Sequence, residues 1–136
     1  PGKLSDAEMT VMKEHAAIGY NILHGSKRAI LQNAAIISQQ HHEKFDGSGY
    51  PHQLKGKDIP LSARIVAIAD VFDALTSERP YKKAWSIEQA FAHIDEQSGK
   101  HFDPDLIEPF KDCLEQIKAV MTDYADEHER VTFGNI

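Results

Sequence analysis

The chain is predicted to be all-α, and three observations carry that prediction. Apolar residues recur at spacings of three and four, two serine-led capping boxes mark helix starts, and no stretch alternates as a half-buried strand would. About five helices are expected, with no internal repeat.

Ser5 and Glu8 form the first capping box, with Leu4 placed to staple onto the first apolar turn. Met9, Met12, Ala16, Gly19 and Leu23 follow on one face, so a helix is expected from about Asp6 to His24, closed by Gly25. Ile30, Ala34, Ile37 and His41 make a second stripe, and that helix carries an adjacent histidine pair, His41 and His42, at its C-terminal end. Residues 43–60 are broken by Gly47, Gly49, Pro51, Gly56 and Pro60 and read as one ordered loop; loops of that length in compact domains are usually functional.

Pro60 suits a first helical turn, and Leu61 to Ser77 is apolar nearly all round, which predicts a buried central helix. Residues 78–85 break the pattern with Pro80 and gather Arg79, Lys82 and Lys83 beside Tyr81 and Trp85. Ser86 with Gln89 is the second capping box, opening a helix to about Gln97 that stops at Gly99. Asp103 and Pro104 read as cap and first residue of the last helix, through Leu106, Phe110, Leu114, Ile117 and Met121. Pro109 lies close enough to its start that a local bend is expected rather than a break, and residues 119–136 are expected to be helix end and tail.

With 136 residues, 41% hydrophobic and 26% charged, the chain has the length and composition of one globular domain. A net charge of −6 argues against nonspecific nucleic-acid binding, which calls for an excess of Lys and Arg. It leaves room for a small anionic substrate, because a few cations and metal ions in one cleft outweigh net charge. The single cysteine, Cys113, cannot form an internal disulfide; its helical stretch predicts a small buried hydrophobe in a reducing cytoplasm. No run is apolar and long enough to span a bilayer. The start at Pro1-Gly2, entering a helix cap at once, reads as a piece of a longer protein.

Metal chemistry is the strongest functional signal. Neutral imidazole is the commonest protein ligand for transition metals, and neighbouring helix residues point about 100° apart, so His41 and His42 could face different ions, or an ion and a substrate. Asp70 sits mid-helix between Ala69 and Val71, where a desolvated carboxylate needs a metal or an ionic partner; Asp73 and Ser77 extend the same polar seam. His15 by itself is a core-edge histidine, and His24, His52, His93, His101 and His128 read as surface or cap residues, His101 standing out only because it precedes a helix start. Arg79 and Lys82 suit a nucleotide phosphate next to a metal site, and Tyr50 either stacks on a base or locks its loop.

Together, His41-His42-Glu43, Asp46-Gly47-Ser48-Gly49-Tyr50-Pro51, Ile59-Pro60-Leu61, Ala67 to Thr76 and Arg79-Pro80-Tyr81-Lys82 resemble the HD-GYP branch of the HD superfamily. The resemblance covers roughly residues 1–118, including Lys13-Glu14-His15 with Ile18-Gly19 and His101-Phe102-Asp103-Pro104. It implies an all-helical phosphohydrolase bundle that cleaves cyclic di-GMP to the linear dinucleotide or GMP, using two or three divalent ions, iron or manganese. By that likeness His15, His41, His42 and Asp70 match metal ligands, and Arg79 and Lys82 match residues that hold substrate phosphate or guanine. Gly49, Tyr50 and Pro51 match the loop proposed to contact substrate or partners such as diguanylate cyclases, and Asp73 a polar position near the site.

The family's His-Asp pair and its following lysine belong ahead of Pro1, and no His-Asp dipeptide occurs here. The chain alone is therefore expected to bind metal incompletely and to lack phosphodiesterase activity. Apolar faces on the helices of His15 and Asp70 are expected to be uncovered, which favours dimerisation.

Overall fold

The computed structural model describes residues 5–78 and 83–130, with side chains as far as 123. Arg79, Pro80, Tyr81 and Lys82 lie outside the described residues, as does Leu4. Six α-helices are present among the described residues: α1 (Asp6–Leu23), α2 (Ala29–Gln40), α3 (Leu61–Thr76), α4 (Ile87–Glu96), α5 (Ile107–Asp112) and α6 (Leu114–Arg130). Each helix packs against the next in the chain. The all-α class is borne out.

Both capping boxes form as expected. Ser5 Oγ accepts from the Glu8 N–H while Glu8 answers the Ser5 N–H, and Ser86 with Gln89 repeats the arrangement at the head of α4. The expected loop at 43–60 holds, with one 3-10 turn, Gly56–Asp58, inside it.

Small residues bring α1 and α2 together. Ala16 and Ala35 are fully buried, and a Cβ at Gly19 would run into the Ser38 hydroxyl. That approach carries His15, one residue before Ala16, to the end of α2 where His41 and His42 sit. The main core lies on the other side of the fold, where Ile68, Phe72 and Leu75 of α3 meet Ala90 and Ile94 of α4 with Phe102 and Ile107.

Four expectations need correcting. The last helix is not continuous: Pro104–Leu106 is a 3-10 turn, and α5 and α6 are separated at Cys113, whose N–H bonds Phe110 three residues back instead of Pro109. Five expected helices thus become six. Cys113 is exposed, because this break lifts it to the edge of a groove of about 370 Å³ between α3, α5 and α6. The central helix is buried only where α2 and α4 cover it; Leu61 and Ile65 remain 53% and 49% exposed. Asp70 is exposed too, so its carboxylate bears no full desolvation cost. Uncovered apolar faces are present on α1 as well, at Val11, Ile18 and Ile22.

A buried ion pair joins α3 to the turn before α5. Arg64, in the first turn of α3, donates from Nε to the Ile59 carbonyl (2.8 Å) and pairs through its guanidinium with Asp103, whose side chain is 1% exposed. Asp103 also caps the turn that follows it, accepting from the Asp105 N–H (3.0 Å). Arg64→Met leaves that carboxylate buried without its cation, and loss of one partner of a buried pair costs about 3 kcal/mol or more. Urea unfolding of this variant is expected to show that loss; a change below about 1 kcal/mol would rule the pair out as a fixed point of the fold.

Candidate metal centre

His15, His41 and His42 converge, and their ligating atoms all lie within 4.8 Å of one another. His15 Nε2 is 3.1 Å from His42 Nε2 and 3.4 Å from His41 Nε2. Two nitrogens on one tetrahedral ion stand about 3.3 Å apart, so these spacings suit a shared cation.

The opposite edges of two rings are fixed by backbone. His15 Nδ1 donates to the Met12 carbonyl (2.6 Å), and His41 Nδ1 faces the carbonyls of Ile37 and Ser38 (3.0 Å each). A carbonyl only accepts, so Nδ1 carries the proton and Nε2 keeps a free lone pair, the tautomer a metal-ligating histidine requires. His15 and His41 thus turn bare Nε2 lone pairs toward one another and toward His42, an arrangement that repels unless a proton or a cation lies between them. The donor set therefore fits a divalent ion.

A loop packs over the pair. Glu43 is 2% exposed and accepts from the N–H groups of His52 (2.6 Å) and Leu54 (3.0 Å). Gly49 lies so close beneath that a Cβ would collide with the backbone of His42, Glu43 and Lys44, so only glycine fits. Tyr50 stacks on His42, ring centroids 4.8 Å apart, and Lys13 Nζ lies 5.0 Å from the Tyr50 centroid. Pro51 follows in a cis linkage and is exposed.

A profile described as HD domain matches residues 1–106. The chain belongs to the HD domain family. It is 55% identical over 108 residues to the cyclic di-GMP phosphodiesterase response regulator RpfG of Xanthomonas campestris pv. campestris, covering 79% of this chain and 29% of that protein. A 3'3'-cGAMP-specific phosphodiesterase 2 of Vibrio cholerae is 46% identical over 126 residues, covering 93% of this chain and 24% of the relative. A Thermotoga maritima cyclic di-GMP phosphodiesterase is also 46% identical, over 127 residues, covering 93% and 34%. Among solved structures, a cyclic GMP-AMP specific phosphodiesterase of V. cholerae matches with a TM-score of 0.66 and 29% identity, covering 83% of this chain and 25% of that one. The chain thus spans about a quarter to a third of the length of these relatives.

Within this HD domain the expected site residues divide. Asp70 is outside the tight imidazole group yet close enough to act on His42, His101 and Tyr50 electrostatically. Asp73 is engaged locally, accepting from the Ser77 hydroxyl at 3.3 Å. Arg79 and Lys82 fall outside the described residues.

His101, which the sequence set apart from the surface histidines only by its place before a helix start, lies beside the site. It is half-buried, stacked on Phe102 with centroids 4.3 Å apart, and it feels the charges of Lys44, Asp46 and Asp70. Its backbone explains the placement: the carbonyls of Lys100 and His101 accept from Asp46 (2.8 Å) and Phe45 (3.1 Å), pinning this turn under the histidine loop. The sequence signals for it were its place before a helix cap and its membership of the His101-Phe102-Asp103-Pro104 stretch.

Burial is the first cause that drives His42 down to about 4, reinforced by the neighbouring His41 and His15; burial does the same to His101, then the Lys44 ammonium. Both therefore stay neutral at physiological pH. Burial, then Asp70, raises the Tyr50 phenol. The pH consequence has a definite sign. An unfolded histidine takes up its proton near pH 6.5 and the folded ones only near 4, so the unfolded state binds more protons between those values. Stability is retained above about pH 6.5 and declines as pH falls toward 4. In chelator-treated protein the urea midpoint should drop over that window, and His101→Asn should flatten the slope; equal slopes would exclude His101 as a contributor.

Proposed function

We propose that this HD domain serves a cytoplasmic, metal-dependent phosphodiesterase that hydrolyses cyclic di-GMP to the linear dinucleotide or GMP in bacterial signalling. The observation that carries the reading is the convergence of three Nε2 atoms, two of them on rings whose Nδ1 is held by backbone carbonyls. The names of the relatives support the substrate class.

In this reading His15, His41 and His42 hold a divalent ion, manganese or iron, and Asp70 contributes negative charge beside it; a second or third ion completes the working site. Bound there, the metal would lower the pKa of a water and polarise the phosphodiester. The protein's own part is to keep the His42 imidazole neutral, which its burial does. It also has to gather anions on a chain of charge −6. Arg79 and Lys82, by their place in the family motif, are proposed to hold the substrate phosphate or guanine.

A second substrate, 3'3'-cGAMP, is supported by the relatives named for it. A role as a docking module for diguanylate cyclases has less support, because Tyr50 turns its ring to His42. The exposed Val11, Ile18 and Ile22 supply an apolar surface for self-association in the same reading.

The deciding experiment is elemental analysis of the full-length protein that carries this chain, with turnover measured on cyclic di-GMP and 3'3'-cGAMP. His42→Ala and Asp70→Ala are each expected to cost more than the roughly 10–100-fold that losing an outer partner of a metal ligand costs, with metal content reduced alongside. Full turnover in metal-free protein would overturn the reading.

A further inference from the structure

Two of the three converging imidazoles are oriented in the usual way, each by a backbone carbonyl on its Nδ1. His42 is not. Among the described residues its Nδ1 has no hydrogen-bond partner, although its Nε2 is the atom closest to His15. A ligand ring free to turn would give up part of its affinity, so another group has to fix it.

The candidate is the face of Tyr50. Its ring lies against His42 at 4.8 Å with an interplanar angle of 29°. The loop that carries it is tied back to the histidine pair at several points: the Tyr50 N–H bonds the His42 carbonyl (3.2 Å), Gly49 packs directly on the backbone of residues 42–44, and Glu43 takes the His52 and Leu54 N–H groups. Both Glu43 oxygens are used by backbone, and the side chain is buried away from solvent. Glu43 is therefore committed to the loop rather than to the imidazole cluster. Lys13, two residues before His15 on α1, covers the Tyr50 ring as well.

We propose that Tyr50 is the positioning residue for His42, holding the imidazole by its ring face in place of an Nδ1 hydrogen bond, and that Glu43 acts through Tyr50 by anchoring its loop. The role belongs to the aromatic face and not to the phenol hydroxyl. Glu43 lies next to a ligand without being one. This inference rests on the reading of the three histidines as a metal site.

Zn²⁺ titration by calorimetry tests it on the chain itself, with histidine ring nitrogens followed by NMR in the metal-free protein. Tyr50→Phe is expected to bind Zn²⁺ within about twofold of wild type, whereas Tyr50→Leu and Glu43→Ala should each lose about 10-fold, the range expected when an outer partner of a ligand is removed. In those two variants the His15 and His41 ring signals should stay as in wild type, while those of His42 shift and broaden as its ring is released. A purely structural role for Glu43 would lower the unfolding midpoint and leave the His42 ring signals and Zn²⁺ affinity alone. Glu43→Gln keeps the side chain's size and one acceptor, so it should fall between wild type and alanine even if Glu43→Ala folds poorly. Equal affinity and an unchanged His42 signal in Tyr50→Leu would overturn the proposal alone. A loss in Tyr50→Phe as large as in Tyr50→Leu would overturn it by assigning the effect to the hydroxyl. No Zn²⁺ uptake by wild type would overturn both the proposal and the metal reading beneath it.

Discussion

The Arg64–Asp103 pair is the constraint on which the arrangement of this domain depends. Arg64 reaches two ways, to the Ile59 carbonyl that ends the long loop and to the carboxylate that starts the 3-10 turn before α5. The turn just ahead of Asp103 then offers the Lys100 and His101 carbonyls to Asp46 and Phe45, and Phe45 in turn accepts from Gly56. Three segments far apart in sequence are thereby stitched around one buried carboxylate. Such a pair adds little net stability compared with an apolar substitute of the same shape, but leaving either charge alone is costly. Its contribution is to select one arrangement: any packing that separated α3 from the 98–106 turn would bury an unpaired charge.

That arrangement matters because, among the described residues, the histidine loop adds nothing to the main apolar cluster and buries one large apolar side chain, Ile59, at its far end. Its contacts are backbone hydrogen bonds, the buried Glu43 carboxylate and a glycine packed against backbone. Most large buried apolar side chains sit elsewhere, in the cluster around Phe72, Ile94 and Phe102. Hydrophobic burial thus holds α3 to α6 together, while polar bonds of fixed direction set the site. The division suits the chemistry, since directional bonds fix a ligand ring more closely than non-directional apolar contact does.

Local signals in the sequence were legible and long-range ones were not. Ser5 with Glu8 and Ser86 with Gln89 are decided within four residues, and both capping boxes form as read. The His41–His42 pair announces itself for the same reason. By contrast, the burial of α3 depends on which neighbours arrive, and its all-round apolar pattern could not reveal that Leu61, Ile65 and Asp70 face outward. His101 owes its place to bonds with residues 45 and 46, more than fifty positions away, and nothing in its own surroundings in the chain encodes them. Cys113 looked buried because its stretch is periodic; the break at its N–H, set by a shift from the fourth to the third preceding carbonyl, was hidden within that periodicity.

Adjacency of His41 and His42 suggested two separate targets, since successive helical side chains diverge by about 100°. The rings instead lie 4.0 Å apart, because His41 is the last residue to bond into α2 and His42 is already outside it. Leaving the helix is what lets both face His15. Convergence at this end of α2 has an electrostatic logic as well. The helix C-terminus carries partial negative charge, which favours a cation there, while burial, then the neighbouring His41 and His15, disfavours protonation of His42. A site whose His42 resists a proton yet sits at the negative end of a helix still accepts another kind of positive charge, a metal ion that binds the neutral form of that ligand.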